Sequence, residues 1–397
     1  MKLLLKKIIR KIKNFWKDQE FASFQKRINK KTIQEHKVIY EWALGQNTNK
    51  SKDTTNDFKD IRNSLFNKYR NMYAGNTSIK VLVHVPSARY SPAGFSQFSS
   101  LVESLIFIGI DSERLDLHND VNKQLDKSKP TVLLTSDDRG YLNKLDWNAL
   151  KKYKQNHKLL IGLTASIEAY GNTSLSERLK WADNNKIDFY YSQRSPEYIQ
   201  NREDYRSFFE FGYQIHSMEL GANPLRYYPI SGIKKDIPFV FFGSSNADKH
   251  SRYIEWFEPL LTRSPGFING PGWNKMSTLI PMDLNKFILA RAKVGINLHL
   301  EEQLNWACEL NERTYALAAC GVPQLIDNPR LLYERFSSDA FFVASTAKEY
   351  AELFDYLTNN SQEANKRAKI ALHEVYSRHT TFHRAEGLVK YIKTLLN

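Results

Sequence analysis

Short apolar runs alternate with stretches of helical periodicity along most of the chain, and this alternation limits the fold more than any other feature. Lys80–Val85 (KVLVHV) reads as a buried strand, followed by a Pro/Ser/Gly loop and a helix from about Phe95 to Ile108. Thr131–Thr135, Lys158–Leu163 and Asp188–Ser192 repeat the strand signal, with helical stretches such as Trp147–Tyr153 and Leu175–Asp183 between them. Runs of this kind, apolar on both faces and separated by helices, indicate a parallel sheet covered on both sides. After a Pro-rich connector near 224–232 the pattern restarts. Strands are expected at Pro238–Gly243, Phe267–Gly270, Val294–Leu298 and Pro323–Ile326. Helices are expected at Ser251–Leu261, Asp283–Ala292, Arg313–Cys320 and Ala347–Tyr356. The expectation is an α/β chain of two doubly wound halves facing a cleft, with ligands held at the carboxyl ends of the strands. The boundaries read as 1–77 for a basic helical extension and linker, 78–229 and 230–376 for the two α/β domains, and 377–397 for a helix crossing back.

Net charge narrows the choice of partners. The 397 residues carry +14, but residues 1–31 alone hold eleven Lys or Arg against two acids. The rest of the chain is therefore close to neutral, which argues against nucleic acid. Within the head, Leu4, Leu5, Ile8, Ile12 and Trp16 recur at helical spacing, with Lys6 and other cations on the remaining angles. A basic amphipathic helix of that kind suits an anionic bilayer surface, although packing of the same stripe on the body is the plainer alternative. Lys6 and Lys7 break the first apolar run, so neither a signal peptide core nor a spanning segment is seen. Two cysteines, Cys308 and Cys320, lack metal-type spacing and fit a reducing compartment. The location implied is cytoplasmic, at the inner face of the cell membrane.

The dinucleotide fingerprint, the P-loop, H-E-x-x-H and G-x-S-x-G are all absent, and so is any Asp-x-Asp triplet. No bound metal and no resident cofactor are expected. Three positive signals lie in the second half. Phe239–Ser245 is a strand running into Gly243 and Ser244 ahead of a helix bearing Arg252, where small residues and a helix start suit an anion. Asn269–Trp273 is a Gly-Pro-Gly turn at a strand end, with Gly270 free to line a base pocket. The third is 294–326, where a strand carrying Asn297 and His299 leads to a helix beginning near Glu312. Amides of Asn311, Glu312 and Arg313 at that start suit a diphosphate, and the Arg313 fork a charge-assisted contact. An ordinary Glu312–Arg313 surface pair is the alternative.

The run Asn311-Glu-Arg313-Thr314-Tyr315 followed by Ala319-Cys-Gly-Val-Pro323 resembles the donor-binding segment of GT-B glycosyltransferases of the group-1, CgeB-like branch. Gly221–Pro224, Phe241–Ser244, Val294–His299 and His379–Arg384 agree in order. The resemblance covers about 220–390 in motif, 78–220 as architecture only, and nothing before 78. It implies two Rossmann-like domains facing a cleft and a donor that is a sugar on a nucleoside diphosphate, UDP- or GDP-linked. One position departs from it. The glutamate expected four residues before the Cys-Gly pair, which would grip the donor ribose, is Ala316, and its usual partner falls on Cys308. Glu301, Glu309 and Glu312 are the candidate replacements.

An inverting transfer also needs a base for the acceptor hydroxyl. Asp137 and Asp138 close a parallel strand in the first half, where a carboxylate pair would raise one pKa. His84 at the end of the first strand is the third candidate, and helix capping is the plain role for the aspartates. The His379/His383 pair is read as structural. The function expected is transfer of a sugar to a saccharide, lipid-linked acceptor in bacterial surface polysaccharide assembly. Two other readings are kept beside it: a non-catalytic saccharide- or membrane-binding scaffold, and an epimerase or hydrolase of sugar nucleotides on the same fold.

Overall fold

The computed structural model describes residues 19–27, 36–46, 56–167, 173–245, 247–273 and 282–396. Leu4, Leu5, Lys6, Ile8, Ile12 and Trp16 lie outside the described residues. The chain forms two compact units. One holds Arg62–Asn223, Ala307–Glu309 and the described residues from Ser377 onward; the other holds Pro224–Trp306, Leu310–Tyr376 and the described residues up to Ile61.

The first unit is built on a parallel sheet of six strands in the order β2-β1-β3-β4-β5-β6. These are β1 (Lys80–Val85), β2 (Asp111–Asp116), β3 (Val132–Thr135), β4 (Leu160–Thr164), β5 (Phe189–Ser192) and β6 (Ile215–Ser217). The central strands are apolar because helices cover both faces. Edge strand β2, DSERLD, buries Ser112 and Leu115 and turns its charges outward, as an edge exposed to water allows. Its polar composition hides it from a hydrophobicity reading, and β6 is too short to register. The helix Pro92–Phe107 starts one turn earlier than the apolar period suggests, because Ser91 caps it by accepting from the Gly94 amide and Pro92 opens it. The closing helix Thr381–Leu396 packs on it through Phe382, stacked on Phe107 at 4.3 Å, and through the Ser104–Thr381 hydroxyl pair at 2.6 Å. His379 and His383 serve this joint. His383 meets the Thr380 hydroxyl at 2.7 Å, and Thr380 bridges to Ala222.

The second unit has a parallel sheet of five strands, β11-β10-β9-β7-β8. They are β7 (Ile237–Phe242), β8 (Gly266–Asn269), β9 (Ala292–Asn297), β10 (Gln324–Asp327) and β11 (Phe342–Ala344). Its core is aromatic, with Phe239, Phe241, Tyr253, Phe257 and Trp273 buried together. Phe21 and Phe24, from a helical turn at 19–27, belong to that same core. Residues 19–27 of the extension are thus integral to this unit: Phe21 stacks on the His250 ring at 3.7 Å, and Arg27 pairs with Glu258 at 2.7 Å.

Candidate functional site

In each sheet the chain reverses direction of travel once, between β1 and β3 and between β7 and β9. Such switch points open a crevice at the carboxyl ends of the strands. The sequence-predicted residues gather at these two places.

In the five-stranded unit, Gly243 follows β7 and Gly270 follows β8, and the two turns run side by side. The Gly243 amide donates to Asn269 O at 2.9 Å and the Ser245 amide to Pro271 O at 2.8 Å. A Cβ on Gly270, which holds φ +146°, would fall 2.1 Å from Gly243 O. One on Gly243 would fall 2.2 Å from Arg313 Nη2. Gly270 therefore requires glycine, and a side chain at 243 would displace the Arg313 guanidinium.

Arg313 straddles the switch point. Its Nε donates to Phe242 O at the end of β7, and its Nη1 to Asn297 Oδ1 at 3.1 Å and Leu298 O at 3.4 Å, at the end of β9. Its guanidinium lies 4.0 Å from the centroid of the Phe241 ring. Among the described residues Nη2, beside Gly243, makes no hydrogen bond, so it keeps two donors for a ligand. Arg313 opens the helix Glu312–Ala319, where Asn311 is the cap, accepting from the Thr314 amide at 3.1 Å. The amide dipoles at such a start favour an anion.

Asn297, His299 and Thr314 are fully buried and support this arrangement from beneath rather than reaching a ligand themselves. Asn297 accepts from Asn311 at 2.8 Å and donates to the Thr314 hydroxyl at 2.8 Å. His299 Nδ1 lies 2.6 Å from Asp327 Oδ1, and its amide donates to Oδ2 at 2.6 Å. Burial pulls the His299 pKa down, with Asp327 pulling the other way. Burial acts to raise Asp327, but His299 and Arg252 outweigh it and hold the carboxyl below its usual range. Arg252 is committed here: Nη2 pairs with Asp327 at 2.9 Å and Nη1 donates to His299 O at 2.7 Å. It is thus an organiser of the network, not the free cation that its helix position suggests. Asp327, at the last residue of β10, was missed from sequence; its place at a strand end was the available signal. Beyond it a pocket of about 870 Å³ opens against Arg252, Trp256, Asn328, Arg330 and Thr346.

The candidate replacements for the missing glutamate separate clearly. Glu309 pairs with Arg194 at 3.3 Å inside the six-stranded unit, and Cys308 is buried in that unit's core. Glu301 is exposed in the short helix Glu301–Asn305. Glu312 stands one helical turn before Ala316, on the same face of the helix.

In the six-stranded unit His84 and Thr135 span the other switch point at 2.9 Å. Burial pushes the His84 pKa down to about 4, so its ring is neutral near pH 7. The two aspartates after β3 differ. Asp138 caps the turn Arg139–Leu142, accepting from the Gly140 amide at 2.6 Å. Asp137 is buried, accepting from the Thr164 hydroxyl at 2.8 Å, from the Ser166 amide at 3.3 Å and from Arg178. Burial pushes its carboxyl up to about 7, against the pull of Arg178. The expected lift is present, but its cause is desolvation and not a neighbouring carboxylate. Arg178, Thr164 and Ser166 were not identifiable from spacing, because the fold brings them in from β4 and the helix that follows it.

Residues 249–390 match the model of a family described as glycosyl transferase-like. No curated protein matches the chain by sequence. Among solved structures, sucrose-phosphate synthase from Thermosynechococcus elongatus superposes with a TM-score of 0.55 at 11% identity, over 80% of this chain and 99% of that one. The T4 phage β-glucosyltransferase, solved with UDP-glucose, gives 0.54 at 14% identity over 79% and 99%. A glycosyltransferase from Rickettsia africae gives 0.51 at 10% identity over 81% and 99%. The T4 enzyme has also been solved with UDP and Mn2+. The chain therefore has the GT-B fold, and its stretch 249–390 is glycosyl transferase-like in sequence.

Proposed function

We propose that the protein is a glycosyltransferase that moves a sugar from a nucleoside diphosphate, uridine or guanosine, to a saccharide acceptor. The observation that carries this reading is Arg313, fixed across the β7/β9 switch point with Nη2 unbonded beside Gly243 at a helix start. A diphosphate seated there meets backbone amides and a planar cation, the groups that stabilise it as a leaving group. Glu312 takes the ribose in place of the residue at Ala316. Asp137 takes the proton of the acceptor hydroxyl, because its raised pKa makes it a usable base near neutrality. The transfer needs no metal, the cations being supplied by the protein. The basic segment 1–31 supports a lipid-linked acceptor at an anionic membrane surface and a place in bacterial surface polysaccharide assembly.

The test is nucleoside diphosphate release from UDP- and GDP-sugars with and without membrane extract as acceptor. Acceptor-dependent release that persists in EDTA and falls on the order of 100-fold in Arg313→Ala is expected. Release without acceptor would turn the reading to a hydrolase or epimerase. No release with any donor, together with the alanine at 316, would favour a binding scaffold.

A further inference from the structure

We propose that a pocket at the carboxyl ends of β3 and β4 binds a neutral sugar ring of the acceptor, an inference that rests on the transferase reading and adds the chemistry of its second substrate. The pocket encloses about 540 Å³ within the six-stranded unit, a volume ordinary for a small-ligand site. One wall is aromatic. Trp147 and Trp181 meet edge to face, with centroids 4.7 Å apart and planes at 86°. Trp147 is fixed by donating from Nε1 to Leu142 O at 2.8 Å, and both rings are partly exposed. The apolar C–H face of a pyranose packs on such rings, while its hydroxyls need fixed donors and acceptors around the edge.

The floor supplies those groups. Asp137 uses three hydrogen bonds, leaving roughly one of about four carboxylate acceptor sites for a ligand. Thr173 Oγ1 is buried on the same pocket with no hydrogen-bond partner among the described residues. A buried hydroxyl without a partner is costly unless a ligand completes it. Charge then decides the class of ligand. The described lining sets two acids, Asp137 and Glu177, against two guanidiniums, Arg139 and Arg178, and Arg178 is already engaged by Asp137, so no cluster of cations is offered to an anion. A nucleoside diphosphate finds no net attraction there, and an aliphatic chain would leave Thr173 and the ion pair unanswered. A neutral polyhydroxylated ring matches both the aromatic wall and the polar floor.

Intrinsic tryptophan fluorescence of the full chain, titrated with neutral mono- and disaccharides of glucose, galactose and N-acetylglucosamine, tests the proposal. A saturable change is expected with at least one of them, weakened ten-fold or more in Trp181→Ala and in Thr173→Val. Thr173→Val should keep or raise the melting temperature, so its loss of binding is not a loss of fold. Undiminished binding in both variants overturns the pocket. So does competition of UDP with the sugar for it. No response to any sugar, with UDP still stabilising the protein, overturns the pocket while leaving the transferase reading in place. Sugar binding that is sensitive to both variants, without affinity for any nucleotide, supports the pocket and removes the transferase reading.

Discussion

Asp137 and Asp138 adjoin in sequence and part in structure. Spacing alone brought both to notice as residues closing a strand, and one of them is a cap. What distinguishes the other is an arginine 41 positions away, a distance at which local pattern carries no information. The same limit hid Asp327, whose importance comes from His299 and Arg252 converging on it. Arg313, by contrast, was legible, since a helix start after a strand places its side chain at the strand ends. For Asp137 the prediction concerns pH. With a carboxyl raised to about 7, the basic form is lost below that value, so kcat/KM should rise with pH up to about 7 and then level. Asp137→Asn should remove that limb and cost about 10²–10⁴-fold in rate. Breaking a buried pair also costs about 3–5 kcal/mol. The double variant Asp137→Leu with Arg178→Met should recover much of that stability and none of the activity. Recovery of activity in the double variant would contradict the base assignment.

At the scale of elements, apolar strands and capped helices were readable because each carries its cause locally. The polar edge β2 and the three-residue β6 and β11 were not, since hydrogen bonding to a neighbour, and not composition, defines them. The role of 19–27 was also hidden, because a phenylalanine shows that it is buried without showing where. Removing residues 1–18 should reduce sedimentation with anionic vesicles. Removal through residue 27 takes Phe21 and Phe24 out of the core. Phe24→Ala alone should cost about 3–5 kcal/mol, read as a fall of several degrees by calorimetry. A melting temperature indifferent to Phe24→Ala would contradict the docking.

For the molecule as a whole, behaviour in acid is set by buried histidines, among them His299 in the five-stranded unit and three in the six-stranded one. Burial pushes His84, His216 and His383 each down to about 4. A histidine depressed in the folded state contributes stability that is present above its unfolded pKa near 6.5 and is lost as pH falls through 4. Asp137 acts in the opposite sense, its neutral form being the folded one below about 7. Each histidine carries roughly 3 kcal/mol, so three outweigh one carboxyl, and stability should fall from pH 6.5 to 4. His216 stacks on Tyr391 at 4.7 Å, so His216→Phe keeps the ring contact and should make that fall shallower. An unchanged slope would contradict the account of His216.

The two-sheet architecture was legible because the strand–helix alternation stops and restarts. The proposed transfer depends on a nucleoside diphosphate seated against Arg313 and the helix start behind it. Thermal unfolding of wild type and Arg313→Lys with UDP, GDP, ADP, TDP and CMP tests it most directly. UDP or GDP at 100 times its Kd should stabilise the wild type by about 2.7 kcal/mol, and the shift should be largely lost in Arg313→Lys, which keeps the charge without the planar fork. A wild type indifferent to every nucleotide, or an undiminished shift in Arg313→Lys, would contradict it.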